Sequence, residues 1–162
     1  DEGDRSKLSA RLSVQLSGVR RVLGGGVIAD RETVRLDLDE VSTDLEDFFR
    51  ATDDAAIVDA YAGEFLPEDV YDDWTMGPRD EARSRFVAAA RRLAAAASDT
   101  DPAAAAAVAR RLVESDRYDE AAHRLLIDTL VGAGEHGLAR RAHDAYAAAM
   151  AELDIDVEPF TT

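Results

Sequence analysis

Residues 10–24 read Ala-Arg-Leu-Ser-Val-Gln-Leu-Ser-Gly-Val-Arg-Arg-Val-Leu-Gly. Together with Leu8, the residues Leu12, Leu16, Val19 and Leu23 recur at steps of three and four. At about 100° per residue they fall within roughly an 80° arc of one helix. The opposite face carries Lys7, Ala10, Arg11, Val14, Ser17, Gly18 and Arg21. Cations suit phosphates and base edges, small residues allow close approach, and a Val methyl can meet a thymine methyl. The plainer alternative is an ordinary amphipathic surface helix.

The segment that follows narrows the choice. Gly24-Gly25-Gly26 stops the helix, since glycine accepts the left-handed conformation of a C-terminal cap. Two β-branched runs come next, Val27-Ile28-Ala29 and Thr33-Val34-Arg35-Leu36, with Asp30-Arg31-Glu32 as a hairpin turn between them. Leu36-Asp37-Leu38-Asp39 is expected to prolong the second strand. Helix, glycine stop and hairpin resemble the second half of a winged helix-turn-helix of the response-regulator type. The residues that carry the likeness are Leu12, Val14, Leu16, Ser17, Val19, Arg20, Arg21, Leu23 and Gly24. The resemblance implies base and phosphate contacts at Arg11, Val14, Gln15, Gly18 and Arg20. Gly18 stands where a basic residue is common in that family. Lys7, Arg21, Arg31 and Arg35 complete the candidate DNA-binding set.

The chain has 162 residues, 46% of them hydrophobic, enough for a real core in one or two domains. No run approaches the roughly 20 apolar residues of a membrane span. The start, Asp1-Glu2-Gly3-Asp4, lacks a basic n-region and an apolar h-region, and a fragment or processed chain is expected. Cysteine is absent, which excludes disulfides, a thiolate nucleophile and Cys-based metal sites. A cytoplasmic location is expected. One Lys against eighteen Arg suggests a high-GC genome or a halophile.

The net charge of −15 is unevenly spread. Residues 1–35 hold seven cations and five acids, a balance of +2; the remainder holds twelve cations and twenty-nine acids, a balance of −17. A cationic end on an acidic body would confine a polyanion to that end. The acids also serve solubility alone.

Beyond the hairpin, Val41 to Asp44 offers a cap and Leu45, Phe48 and Phe49 start a short helix. Thr52-Asp53-Asp54 caps a second, which buries Ile57, Val58 and Tyr61 and ends at Gly63. Residues 61–79 hold the single Trp and two of the four prolines. This segment is expected to be a packed loop, with Trp74 seated on the first long helix. Pro78 opens that helix, which buries Phe86, Ala89, Ala90, Leu93 and Ala97. Asp101-Pro102 opens a helix over 102–114. A third spans 117–131 with Tyr118, Ala121, Leu125, Leu126 and Leu130 inward. After Gly132-Ala133-Gly134, a fourth covers 135–153 with Leu138, Ala142, Tyr146 and Met150 inward. Ala109-Arg110-Arg111 recurs as Ala139-Arg140-Arg141, near the spacing of a helical-pair repeat. About two tetratricopeptide-like hairpins are expected.

In order, the chain shows a winged-helix half and short connecting helices. Tyr-x-Gly-x-Phe-Leu-Pro (61–67) with Trp74 follows, then paired helices with Ala122-His123-Arg124-Leu125-Leu126 and a closing Val157-Glu158-Pro159. This order resembles the bacterial transcriptional activator domain of actinobacterial regulators of the antibiotic-regulatory-protein (SARP) type, over residues 8–160. The expected fold class is mainly α. Residues 1–40 form a partial winged helix (recognition helix and β-hairpin), and residues 41–160 a tetratricopeptide-like helical bundle. The resemblance implies a DNA-binding transcriptional activator that reads direct repeats in a promoter. Its helical domain would mediate homodimerisation and contact RNA polymerase. It implies no cofactor, no metal and no membrane association. The family's winged helix also has a sheet and two helices ahead of the recognition helix. This chain is therefore expected to bind DNA more weakly than a version extended upstream, and its uncovered apolar seam favours self-association.

Two other functional classes compete with this reading. For an enzyme, His123, His136 and His143 are the candidates, but the i, i+4 pairing of His-Glu-x-x-His is absent. Gly24–Gly26 lacks the Lys-Ser/Thr of a phosphate loop, and no Ser sits in a nucleophile elbow. His123 lies in an apolar run and reads as a hydrogen-bonded core residue. The second class is a helical protein-interaction module, in which the basic helix docks on protein. Its acidic clusters (Asp72-Asp73; Asp116, Asp119, Glu120; Asp154, Asp156, Glu158) could then face a basic partner. Steep salt sensitivity separates phosphate binding from that alternative.

Overall fold

The computed structural model describes residues 2–30, 32–69 and 71–161. The chain is mainly α-helical and divides into two compact units, Asp1–Asp47 and Phe48–Thr162.

The first unit begins with α1 (Glu2–Val22), longer than the amphipathic stretch alone suggested. It ends as expected at glycine: Gly24 and Gly25 have φ of +63° and +116°. Antiparallel strands β1 (Val27–Ala29) and β2 (Val34–Leu36) pair Val27 with Leu36, Ile28 with Arg35 and Ala29 with Val34. Gly26 is buried, and a Cβ there would lie 2.3 Å from Val41 Cγ1, so any larger residue would have to displace the Val41 side chain. The expected prolongation of β2 through Asp39 does not occur. The Asp37 carbonyl accepts from the Glu40 and Val41 amides at 3.0 and 2.9 Å and closes a turn.

α2 (Asp44–Arg50) is capped by Thr43, whose hydroxyl accepts from the Glu46 amide at 3.2 Å. α3 (Asp54–Ala60) is capped by Asp53, which accepts from the Ala56 amide at 2.9 Å. α3 stops at Ala60, before the Gly63 anticipated as its end. Tyr61 turns extended and stacks on Phe86, with ring centroids 4.2 Å apart.

α4 (Asp73–Ala97), α5 (Pro102–Ser115), α6 (Glu120–Gly132) and α7 (His136–Ala151) then pack each on the next. Asp101 and Asp119 cap α5 and α6 through the Ala104 and Ala122 amides, each at 3.0 Å. Ala89, Ala90, Ala94, Ala105, Ala109, Ala122 and Ala139 are fully buried. Alanine at these positions brings helix axes close and gives the seams of a tetratricopeptide-like stack. The core is centred on Phe48, Ile57, Val58, Tyr61, Phe86 and Leu112. Among the described residues no helix is long and apolar enough to cross a membrane.

Several expectations for this unit are corrected. α4 starts at Asp73, ahead of Pro78, which sits inside it. The entry is fixed by Thr75, fully buried, whose hydroxyl donates to the Asp72 and Asp69 carbonyls at 2.8 and 3.2 Å. With Thr75 turned inward, Trp74 points out and is 63% exposed. Its ring meets that of Phe65 in a T-shaped arrangement, with 6.3 Å between centroids. α6 starts at Glu120, not 117, because Asp119 is the cap. That phase leaves Tyr118 and Ala121 exposed and buries Ala122 and His123 instead.

Candidate nucleic-acid interface

The helical period sorts the candidate residues of α1. At about 100° per residue, Lys7, Arg11, Val14, Gly18 and Arg21 share one stripe of roughly 80°. Gln15 lies at its margin and Arg20 on the flank beyond the apolar seam. All of them are exposed. At Gly18 nothing would meet an added Cβ within 4 Å, so the stripe is open at its centre. Arg20 is drawn toward the hairpin: its Nε donates to the Val27 carbonyl at 3.4 Å. The seam on the other face is also uncovered, with Leu8 61% and Leu12 54% exposed.

The hairpin is set by Asp30. Its carboxylate accepts from the Glu32 and Thr33 amides at 2.8 and 2.7 Å and from the Thr33 hydroxyl at 3.0 Å. These bonds, and more weakly the Arg35 charge, hold its pKa below the usual carboxylate value. Arg35 is exposed on β2, opposite Ile28. Arg31 lies outside the described residues.

A stripe of two arginines, a lysine, a glycine and a valine can approach a duplex closely. It offers charge to phosphates and donors to base edges. It carries no group for covalent chemistry. His123 is the hydrogen-bonded core residue expected: buried, with its Nε2–H donating to the Arg117 carbonyl at 2.9 Å and its ring stacked on Tyr146. His143 Nε2 meets the Glu158 carbonyl at 2.8 Å. Among the described residues no three His, Asp or Glu side chains are grouped to hold a metal ion.

The family model for the bacterial transcriptional activator domain matches residues 35–162. The chain belongs to that family. No curated protein and no solved structure matches it. The matched range thus takes in Arg35 and Leu36 of β2 and every helix from α2 to α7, and the family is one of transcription regulators. Of the candidate contact residues only Arg35 falls within the matched range; α1 precedes it.

The activator domain holds a set of arginines that sequence reasoning passed over. Arg111 donates through Nη1 and Nη2 to the Val58 and Tyr61 carbonyls, at 2.7 and 2.6 Å, and lies over the Phe86 ring. Arg79 reaches the Phe65 and Leu66 carbonyls at 3.0 and 2.7 Å. Arg85 bonds the Ala51 carbonyl and lies over the Phe48 and Phe49 rings. No sequence motif marks such contacts, because the acceptors are backbone atoms. The only hint was Ala109-Arg110-Arg111, one half of the internal echo.

Proposed function

We propose that this chain is part of a DNA-binding transcriptional activator. α1 lies against duplex DNA through Lys7, Arg11, Val14, Gly18 and Arg21, with Gln15 at the margin. Arg20 serves at the junction with the hairpin, and Arg31 and Arg35 as wing contacts. Direct repeats in a promoter are the target of the SARP-type reading. The helical unit mediates homodimerisation and meets RNA polymerase. The observation that carries the proposal is the exposed cationic stripe of α1, open at Gly18 and running into a turn-braced hairpin. The charge asymmetry supports it, since the acidic remainder repels DNA from every other surface.

The test is fluorescence anisotropy of a labelled duplex carrying a direct repeat, titrated with the chain over a salt series. Binding is expected at low salt and is expected to weaken steeply as salt rises. Arg11→Ala with Arg21→Ala is expected to reduce the salt slope by about one per lost phosphate contact. One observation favours a second reading: the exposed seam of Leu8 and Leu12 suits a protein partner for α1. Absence of DNA binding at low salt, in the chain and the variant alike, would transfer α1 to that role.

A further inference from the structure

The entry to α4 displays side chains that a folded domain ordinarily keeps from water. Tyr71 is 97%, Trp74 63% and Met76 53% exposed. Their backbone is well fastened. The Asp69, Asp72 and Thr75 amides donate to the Leu66, Asp69 and Asp72 carbonyls at 3.1, 3.2 and 2.9 Å. Thr75 is locked from its side chain, and Arg79 ties residues 65 and 66 to the same helix. An aromatic pair on a rigid support loses little freedom when covered, which is what an anchor for a partner requires.

The surroundings state the partner's charge. Residues 64–81 contain seven acids (Glu64, Glu68, Asp69, Asp72, Asp73, Asp80, Glu81) and one cation, Arg79, whose guanidinium is occupied by two carbonyls. The ion pairs of the helical unit bind other carboxylates, among them Asp54, Asp116 and Asp119; among the described residues only Glu64 of these seven is within ion-pair distance of a cation, Arg83 at 3.9 Å. Indole and phenol faces attract guanidinium and ammonium groups, and unpaired carboxylates add to that attraction. Such a surface repels nucleic acid and anionic lipid.

We propose that Tyr71 and Trp74 form a docking surface for a cationic segment of a partner protein. Arg or Lys side chains of the partner lie over the two rings and on the Asp72 and Asp73 carboxylates. The surface belongs to the helical unit alone, and the proposal stands whether or not α1 binds DNA.

Trp74 is the single Trp, so its emission reports this surface directly. The whole chain is titrated with a blocked peptide of Arg, Leu and Ala, and with a control peptide carrying Glu at each Arg position. A blue shift and protection from acrylamide quenching are expected with the Arg peptide only. Tyr71→Ala, and Asp72→Asn with Asp73→Asn, are each expected to weaken binding about tenfold. Asp99→Asn with Asp144→Asn, equal in charge but remote in sequence, is expected to leave it unchanged. Circular dichroism checks that every variant is folded. Unchanged Trp74 emission at saturating peptide would overturn the proposal. So would equal affinity across all the variants, which would mean attraction by net charge alone.

Discussion

Asp30 governs the hairpin through three hydrogen bonds accepted by one exposed carboxylate. Its folded pKa is therefore lower than its unfolded one, chiefly through the Glu32 and Thr33 amides. A depressed carboxylate contributes stability that is complete above the ordinary carboxylate pKa and is lost as pH falls through the lowered folded value. The hairpin is thus expected to persist into acid in which free aspartate is already protonated. The carboxyl carbon shift of Asp30 and the amide shift of Thr33, followed together by NMR, check this. A midpoint at or above that of free aspartate would contradict it. At this scale the turn was legible, because Asp followed by polar residues between β-branched runs is a turn with a stated mechanism. The stripe of Lys7, Arg11, Val14, Gly18 and Arg21 was legible too, since it needs only the helical period. The tether of Arg20 to Val27 was not, because a carbonyl seven residues away has no signature in the side chains.

Of the elements that begin with an aspartate cap, α3 and α5 were readable. Asp53, Asp101 and Asp119 each accept from the amide three residues on, and α3, α5 and α6 start there. Asp119 is hidden as a cap because the apolar period extends backward through Tyr118, so the period alone predicts a helix from 117 where α6 begins at Glu120. The start of α4 was hidden by Pro78, a residue that usually opens a helix. Here the buried Thr75 fixes the first turn and the proline is carried inside. Arg111 joins α5 to the C-terminal end of α3, by two hydrogen bonds and a ring face. A charge-assisted hydrogen bond is worth about 1.5–3 kcal/mol. Arg111→Ala is therefore expected to cost roughly 3 kcal/mol in urea unfolding. Arg111→Lys is expected to recover only part of it, since an ammonium lacks the planar fork whose two nitrogens reach the two carbonyls and the flat face that lies over Phe86. A loss under 1 kcal/mol for Arg111→Ala would show that the bonds are replaced by water.

Across the whole molecule, charge is the dominant long-range quantity. Residues 48–162 carry twelve cations and twenty-three acids, a balance of −11. Salt screens that self-repulsion and also the exposed pairs Arg91–Asp119 and Arg92–Asp54. Exposed pairs are worth about 0–1 kcal/mol each, so the repulsion among the excess acids decides the sign. The thermal midpoint of the helical unit is expected to rise by a few degrees between low salt and about 0.15 M, where the screening length is near 8 Å. Calorimetry at the two salt concentrations checks it, and a falling midpoint would mean that the ion pairs prevail. The fold class was legible at this scale because the alanine seams and glycine breaks repeat. Which surface stays uncovered was not: one residue of helical phase decides whether Thr75 or Trp74 faces the core.

Arg79, Arg83 and Arg85 fasten the loops of the helical unit by gripping carbonyl oxygens of Leu66, Ser115 and Ala51. A carbonyl is the same whichever amino acid bears it. Substitution at the held positions leaves the grip intact, whereas substitution of the holding arginine abolishes it. These contacts are therefore expected to restrain evolutionary drift on one side only, at 79, 83 and 85 and not at 51, 66 and 115, with no compensating exchange between the two members of each contact.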